Sequence, residues 1–186
     1  MKIIQYKDYN EYKDVQIKAN MAKIDRVFAQ EDVIKEISSW LKKNILDIKF
    51  GICHGTRRGL EQEWFSNFLA CDVIGTEISP TAKDFKKTIE WDFNIQNEEW
   101  IGKFDFVYSN SLDHSLSPSW TLEVWRQQLN KQGVLILEWH HSHNLPNQIS
   151  DPFSASLEEY FELLTKLGMK VIETIKIKDR TILFIR

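Results

Sequence analysis

Hydrophobic positions along this chain alternate between helical spacing and short continuous runs. Helical spacing is clearest over residues 31–45, where apolar side chains recur three and four positions apart. Further helical patterns cover 60–69, 79–85, 118–129 and 156–167. Short apolar runs predict strands at 48–53, 72–78, 88–91, 104–109, 134–138, 170–177 and 181–185. Helices and strands are therefore expected to alternate along most of the chain.

This alternation predicts an α/β fold in a single domain spanning residues 1–186. Strands separated by helices form a parallel sheet with helices on both faces. The last two runs differ, because only Lys178, Asp179 and Arg180 separate them. So short a connection cannot cross the sheet, and the last strand is expected to be antiparallel. We therefore predict a doubly wound sheet of about seven strands, with residues 1–30 as a lid or an N-terminal helical extension.

Composition narrows the class of protein without indicating a function. The chain has 186 residues, of which 42% are hydrophobic and 27% charged, as in an ordinary globular protein. The net charge of −3 gives no overall attraction to nucleic acid or anionic lipid, and no apolar run approaches the roughly 20 residues of a membrane span. Cys53 and Cys71 are expected to be reduced packing residues. Together with the lack of a signal-peptide core at the N-terminus, these features predict a cytoplasmic protein.

A glycine-bounded turn, Gly55 to Gly59, follows the predicted strand at 48–53. The glycines either let the chain reverse or let backbone N–H groups approach a ligand, and the turn alone does not distinguish these roles. Glu77 lies about twenty residues further on, the spacing at which an acid meets a ribose in nucleotide-binding βαβ units. A carboxylate suits this role because it accepts hydrogen bonds from two neighbouring hydroxyls. Asp92 ends the next strand and could accept from an adenine amine, with Phe93 on the ring.

Four segments resemble, in order, the first four motifs of the class I methyltransferases that use S-adenosylmethionine (SAM). They are CHGTRRGLEQEWF (53–65), DVIGTEISPTA (72–82), TIEWDFN (88–94) and FDFVYSNSLDHS (104–115). A later segment, LNKQGVLILEWH (129–140), resembles the family's glycine-preceded strand, with Gln132 in place of the first glycine. The resemblance covers nearly the whole chain and implies a Rossmann-like fold. More narrowly, the chain is similar to small bacterial methyltransferases associated with glycan biosynthesis.

The resemblance also implies which residues bind SAM. Glu77 is expected to bind the ribose hydroxyls, and Asp92 and Phe93 the adenine. The other expected cofactor contacts are His54, Gly55, Thr56, Arg57, Gly59, Ile78, Ser109 and Asn110. Two features depart from the family pattern. Arg57 and Arg58 stand where the family has small residues. Solvated side chains, or pairing with acids such as Glu61 and Glu63, are the ordinary explanation, and one of the two arginines is a candidate to hold the SAM carboxylate. The segment between 91 and 104 is too short for a full crossover helix.

Histidines supply the candidate catalytic groups. Imidazole suits a general base because its ordinary pKa lies near neutrality. His114, paired with Asp113, is the candidate base, and a purely pocket-shaping role is the alternative. Three more histidines follow the strand at 134–138 and could act as the base or, with Glu138 and Asp113, ligate a divalent cation: His140, His141 and His143. Because the H-H-x-H spacing on a loop lacks a known ligand geometry, no metal is predicted.

The sequence thus predicts a transferase that moves the SAM methyl group to an oxygen or nitrogen of a small molecule or glycan. Dispersed basic residues and the negative net charge argue against a nucleic-acid acceptor, and no membrane partner is expected. Two alternatives stay open. One is a catalytically inactive module that binds SAM or a nucleotide. The other is an NAD-dependent oxidoreductase, which the closing antiparallel hairpin disfavours.

Overall fold

The computed structural model describes residues 1–144 and 148–186. The helices are α1 (Tyr9–Ala22), α2 (Glu31–Asn44), α3 (Leu60–Leu69), α4 (Pro118–Gln128) and α5 (Leu157–Lys166). The strands are β1 (Lys2–Ile3), β2 (Phe50–His54), β3 (Asp72–Glu77), β4 (Thr88–Glu90), β5 (Phe104–Ser109), β6 (Leu129–His140), β7 (Phe153–Ser154), β8 (Val171–Ile177) and β9 (Arg180–Ile185). Most bounds lie within two residues of those predicted from the hydrophobic pattern.

Seven strands form one sheet in the order β4-β3-β2-β5-β6-β9-β8. Neighbouring strands from β4 to β6 are parallel, whereas β9 is antiparallel to both β6 and β8. The predicted doubly wound sheet with an antiparallel last strand is therefore confirmed. The chain winds outward from β2 through β3 to β4 and then returns to β5 beside β2. Strand order thus reverses between β2 and β5, and a cleft is expected at their carboxyl ends.

Both faces of the sheet are covered by helices, because successive strand side chains point to opposite faces. On β5, Phe106 and Tyr108 pack with α2 and α3, while Val107 packs with α4 and α5. The apolar stripe of α2 is fully used, with Ile34 and Ile37 completely buried. This packing fixes the two central strands and hence the position of the cleft above them.

Several connections are shorter than an α/β fold usually has. The segment after β3 was predicted as a helix, and it forms only a 3₁₀ turn, Pro80–Asp84, with the Ser79 side chain accepting from the Thr81 N–H at 3.3 Å. Between β4 and β5 lies one 3₁₀ turn, Glu98–Trp100, as the short segment predicted. Because these connections carry no long helix, this end of the sheet is thinly covered.

A second, two-stranded sheet joins β1 near the N-terminus to β7. Lys2 pairs with Ser154 and Ile3 with Phe153. The hydrophobic pattern did not predict this two-stranded sheet, since two-residue strands leave no hydrophobic period.

Cys53 and Cys71 are free thiols, as predicted. Among the described helices, none has the length and apolarity that crossing a membrane requires.

Candidate functional site

Two neighbouring cavities lie at the carboxyl ends of the central strands. The larger has a volume of about 380 Å³, within the range of small-molecule sites. The smaller has a volume of about 50 Å³ and lies toward β3 and β4. Both are bordered by the same five residues: Lys23, Gly55, Arg57, Ser111 and His114. Reactive groups held in the two cavities would meet at this shared border.

The turn after β2 brings the backbone close to the loop after β5. Gly55 has a φ of +74°, and a Cβ there would lie 2.7 Å from the Ser111 Cβ, so only glycine fits. The N–H groups of Gly55 and Thr56 both donate to the Thr76 carbonyl at 3.0 Å. The turn is thus fastened to β3, and Thr56 and Asn110 line the larger cavity beside it.

Glu77 lies at the end of β3 with its carboxylate oxygens bound from two directions. One oxygen accepts the Ser79 N–H at 3.1 Å, and the other accepts the Arg57 N–H at 3.0 Å. Burial raises the pKa of Glu77 above its usual value. Glu77 and Ile78 both line the smaller cavity. Because each oxygen retains a second lone pair, the carboxylate can accept further hydrogen bonds from a ligand.

Asp92 and Phe93 line the same smaller cavity just beyond β4. One oxygen of Asp92 accepts from the Asn94 backbone at 2.8 Å and from its side chain at 2.7 Å. The other accepts the Tyr9 hydroxyl at 2.9 Å. A hydroxyl from α1 therefore occupies the acceptor that the sequence assigned to an adenine amine.

Helix α1 lies over the smaller cavity and is held there by hydrogen bonds. Tyr12 donates its hydroxyl to the His114 carbonyl at 3.1 Å, Gln16 donates to the Ser150 carbonyl at 3.1 Å, and Asn20 accepts the Thr81 hydroxyl at 3.0 Å. A space of about 50 Å³ is far below the roughly 300–1,000 Å³ of small-molecule sites. In this arrangement the side chains of α1 fill the space beside Glu77 and Asp92.

Three residues assigned to the cofactor from the sequence lie away from both cavities. The His54 side chain is 1% exposed, and its ring nitrogens face the Thr76 hydroxyl and the Gln128 amide oxygen, each at 2.8 Å. Burial lowers the pKa of His54 to about 4, so the ring is neutral. Gly59 immediately precedes α3 and packs on Gln62. The Ser109 hydroxyl donates to the His54 carbonyl at 3.1 Å. These three residues support the cleft from below.

Asp113 and His114 are adjacent in sequence but face different partners. The nearest carboxylate to the His114 ring is that of Asp151, 3.5 Å from Nδ1, and the Ser150 carbonyl lies 2.7 Å from the same nitrogen. Asp113 instead lies 3.9 Å from Nε2 of His143. Sequence reasoning missed Asp151, because nothing local to a loop residue 37 positions away indicates that it folds back over His114.

The three histidines after β6 do not converge on one point. His140 contacts the Ser142 hydroxyl at 2.7 Å and Asp179 at 2.8 Å. His143 is buried and turns toward Asp113, and burial lowers its pKa. In the described part of the chain, two sets of side chains lie close enough to share a cation: His140, His141 and Asp179, and Asp113, His114 and Asp151. Neither set is the H-H-x-H group weighed from the sequence.

Glu61 is a cavity residue that sequence reasoning did not identify. Its side chain is 6% exposed and lines the larger cavity, and no ion-pair partner lies within 4 Å among the described residues. Burial raises its pKa from 4.5 to about 8, with Glu138 adding to the effect. The available signal was its position four residues before Phe65, on the face of α3 that turns inward.

Comparison with solved structures identifies proteins of similar architecture. Burkholderia thailandensis 1,6-didemethyltoxoflavin-N1-methyltransferase, solved with 1,6-didemethyltoxoflavin and S-adenosylhomocysteine, is similar with a TM-score of 0.75 and 13% identity over 98% of this chain and 92% of that one. A SAM-dependent methyltransferase from Aquifex aeolicus has a TM-score of 0.60 and 16% identity, over 84% and 98%. Synechocystis magnesium protoporphyrin IX methyltransferase, with S-adenosylhomocysteine bound, has a TM-score of 0.62 and 13% identity, over 96% and 99%.

Comparison by sequence gives no such relatives. No protein-family model matches the chain, and no curated protein matches it. TM-scores of 0.60–0.75 over 84–98% of this chain show a common fold, although the identities are only 13–16%. The chain has the fold of the SAM-dependent methyltransferases.

Proposed function

We propose that this protein is a SAM-dependent methyltransferase whose acceptor is an oxygen or nitrogen of a small molecule or glycan. The observation that carries the proposal is the pair of acids at neighbouring strand ends, Glu77 and Asp92, which line one cavity at the point where strand order reverses. That cavity adjoins a larger one through Gly55 and Ser111. A cofactor and an acceptor therefore have separate spaces with a common border.

The residues present fit the proposed cofactor. The free lone pairs of the Glu77 carboxylate suit two neighbouring ribose hydroxyls, and Asp92 offers the oxygen now held by Tyr9 to an adenine amine. Arg57 borders both cavities and suits the carboxylate of the methionine part. When bound, SAM would supply a methyl group carried on a positively charged sulfur. That sulfur is a good leaving group, because it becomes a neutral thioether without taking up a proton.

The chain's own task in the reaction is to hold the acceptor and take its proton. His114 Nδ1 lies 2.7 Å from the Ser150 carbonyl, which assigns the ring hydrogen to Nδ1 and leaves Nε2 free to accept. The Asp151 carboxylate, 3.5 Å from Nδ1, stabilises the imidazolium that forms. His114 borders both cavities and is our candidate general base.

We propose that α1 acts as a lid over the cofactor. Its hydrogen bonds to the rim of the cleft are of a kind that water replaces at small net cost. Moving α1 outward makes room beside Glu77 and Asp92, and its return excludes water.

Calorimetric titration of the purified protein with SAM, S-adenosylhomocysteine, NAD and ATP tests the cofactor. We expect SAM and S-adenosylhomocysteine to bind and NAD to bind far more weakly. Glu77→Gln should weaken SAM binding by about 1.5–3 kcal/mol, or one to two decades, because the ribose loses a charged acceptor. Glu90→Gln is the matched control, since Glu90 is the exposed register partner of Glu77 on β4. Tight NAD binding without SAM binding would replace the proposal by the oxidoreductase alternative.

Methyl transfer from labelled SAM to a panel of hydroxyl- and amine-bearing small molecules and sugars tests the reaction. His114→Asn should lower turnover by about 10²–10⁴-fold and leave SAM affinity nearly unchanged. Folding of this variant is checked by circular dichroism. SAM binding with no transfer to any member of the panel counts for the inactive-module alternative.

A further inference from the structure

One wall of the larger cavity carries four cationic side chains. We name it the cationic wall: Lys23, Arg26, Arg57 and Arg58. The four residues come from two short segments, the end of α1 with the residues after it and the turn after β2. The Arg57 side chain donates to the Arg26 carbonyl at 3.3 Å, so the two segments are in contact.

The charges of the cationic wall have no carboxylate within ion-pair distance among the described residues. Arg57 packs its guanidinium 4.9 Å from the Phe28 ring centre, and its Nε is buried without a hydrogen-bond partner. Burial lowers the pKa of Arg57; the carboxylates of Glu77 and Glu61 oppose this effect, and nearby Arg26 adds to it. Unpaired, partly desolvated cations of like sign are unfavourable unless an anion joins them.

Arg57 also holds an unfavourable backbone conformation. Its φ is +44°, in the left-handed region that glycine adopts at least cost. Strained positions often occur at ligand-binding sites, and of the five described non-glycine residues with positive φ, Arg57 is the one that lines the cavities. The strain is an observation independent of the charge distribution.

Other charged groups around the cavity do not neutralise the wall. Arg180 is a fifth cation, but Glu138 accepts from it at 2.6 Å. Asp113 and Asp151 face His143 and His114, respectively. The buried Glu61, whose pKa is about 8, is mostly protonated near neutral pH. The wall is therefore positive although the whole chain has a net charge of −3.

We propose that the acceptor side of the cationic wall, formed by Arg26 and Arg58, binds an anionic group, a carboxylate or a phosphate, on the acceptor substrate, while Arg57 at the border of both cavities is left to the cofactor. Arg26 and Arg58 line only the larger cavity, away from Glu77 and Asp92, and so face the acceptor. Guanidinium groups bind both anions through paired N–H donors. This assignment rests on the proposed function, and it narrows the acceptor to an anionic small molecule or sugar. The carboxylate of the cofactor is the other source of the same chemistry.

The probe is a matched pair, benzoate and benzamide, titrated into the protein saturated with S-adenosylhomocysteine. They have nearly the same shape and differ in charge. We expect benzoate to bind at least about tenfold more tightly at low salt, equivalent to one charged hydrogen bond, and the difference to shrink as salt screens it. Inorganic phosphate should compete with benzoate. Equal binding of the pair, or no binding of either, overturns the proposal.

Arg58→Gln locates the site, with Lys35→Gln as the matched control. Lys35 is exposed on α2, away from both cavities, and the two variants change the charge equally. Arg58→Gln should remove the preference for benzoate, while Lys35→Gln keeps it. Loss of the preference in both variants shows a general charge effect and overturns the assignment.

The anion that binds the wall could belong to the acceptor or to the cofactor. Titration with S-adenosylhomocysteine and with 5′-methylthioadenosine, which lacks the amino-acid carboxylate, distinguishes these two sources. If the acceptor's anion uses the wall, Arg58→Gln leaves both affinities unchanged. If Arg58→Gln weakens only S-adenosylhomocysteine, the wall holds the cofactor's carboxylate and the proposal fails. Failure of the wild-type protein to bind S-adenosylhomocysteine is a different result, because it contradicts the proposed function itself.

Discussion

Helices α1 and α2 each have 14 residues, yet they are attached to the molecule by different forces. The buried side of α2 is mainly aliphatic, including Ile34, Ile37 and Leu41. The buried residues of α1 are Tyr12, Gln16 and Asn20, all of which form hydrogen bonds across the cleft. Water can replace such hydrogen bonds, but it cannot replace apolar burial. Helix α2 is therefore part of the hydrophobic core, whereas α1 lines the cleft and is held there mainly by hydrogen bonds.

The largest expected effect is on the free energy of unfolding. Ile37→Ala removes a fully buried side chain from α2 and should cost about 2–5 kcal/mol. Gln16→Ala removes hydrogen bonds at the rim of the cleft and should cost at most about 1 kcal/mol. Urea unfolding measures both values. Similar costs for the two variants would break the distinction between the helices.

Burial of Glu61 beside the larger cavity should lower the free energy of unfolding at alkaline pH. Burial raises the pKa of Glu61 from 4.5 to about 8, so the folded protein holds this proton more tightly than the unfolded chain does. Its contribution to stability is complete below about pH 4.5 and is lost as the pH rises to about 8.

Glu61→Gln should therefore be more stable than the wild type by about 2–4 kcal/mol at alkaline pH, and similar to it in acid. Glu63→Gln is the control, because Glu63 is exposed on the same turn of α3. Urea unfolding measured across pH checks the result. A pH-independent difference between the Glu61→Gln variant and the wild type would show that charge burial is not its cause.

The sequence predicted the fold-forming elements well because their signals are local. The 31–45 stripe and the glycine after α5 each determine structure within a few residues. The serine and proline after β3 marked the start of a turn correctly, but the helix predicted there forms only a 3₁₀ turn. The shared position of Glu77 and Asp92 on one cavity could be predicted for a similar reason, since strand ends are easily located and parallel strands bring them to one edge. Their role in binding a cofactor stays a prediction.

The rest of the site depends on contacts between distant segments, which local patterns do not reveal. His54 follows a predicted strand and looked like a cleft residue, but its ring turns into the core, where Gln128 and Thr76 meet it. The expected Asp113–His114 pair was replaced by Asp151, which returns from a later loop. Glu61 was overlooked because an acid in the first turn of a helix is ordinarily explained by the helix dipole.

The third prediction compares the movement of the two helices. If α1 is a lid, amide hydrogen exchange in α1 should slow by about tenfold or more when S-adenosylhomocysteine is bound, because local opening is suppressed. Exchange in α2 should change little, since its packing does not involve the cleft. Equal protection of α1 with and without the ligand counts against a lid.

The smallest expected effect concerns Tyr9. Its hydroxyl holds the Asp92 oxygen that we assign to adenine, so it competes with the cofactor. Tyr9→Phe should raise the affinity for S-adenosylhomocysteine by up to about fivefold, the value of one hydrogen bond. Calorimetry of the variant provides the measurement. Weaker binding would mean that the hydroxyl contacts the bound cofactor instead.

The two-stranded sheet formed by β1 and β7 limits how far α1 could move as a lid. It anchors the chain just before α1, and the Met1 amine adds a contact to Glu159 on α5. Since residues 23–30 lead directly into α2, the helix is tethered at both ends. A tethered segment meets its docking surface at an effective concentration in the millimolar range, whatever the protein concentration. If α1 is a lid, it opens only briefly because it stays tethered, and its reclosure competes with every ligand that approaches the smaller cavity.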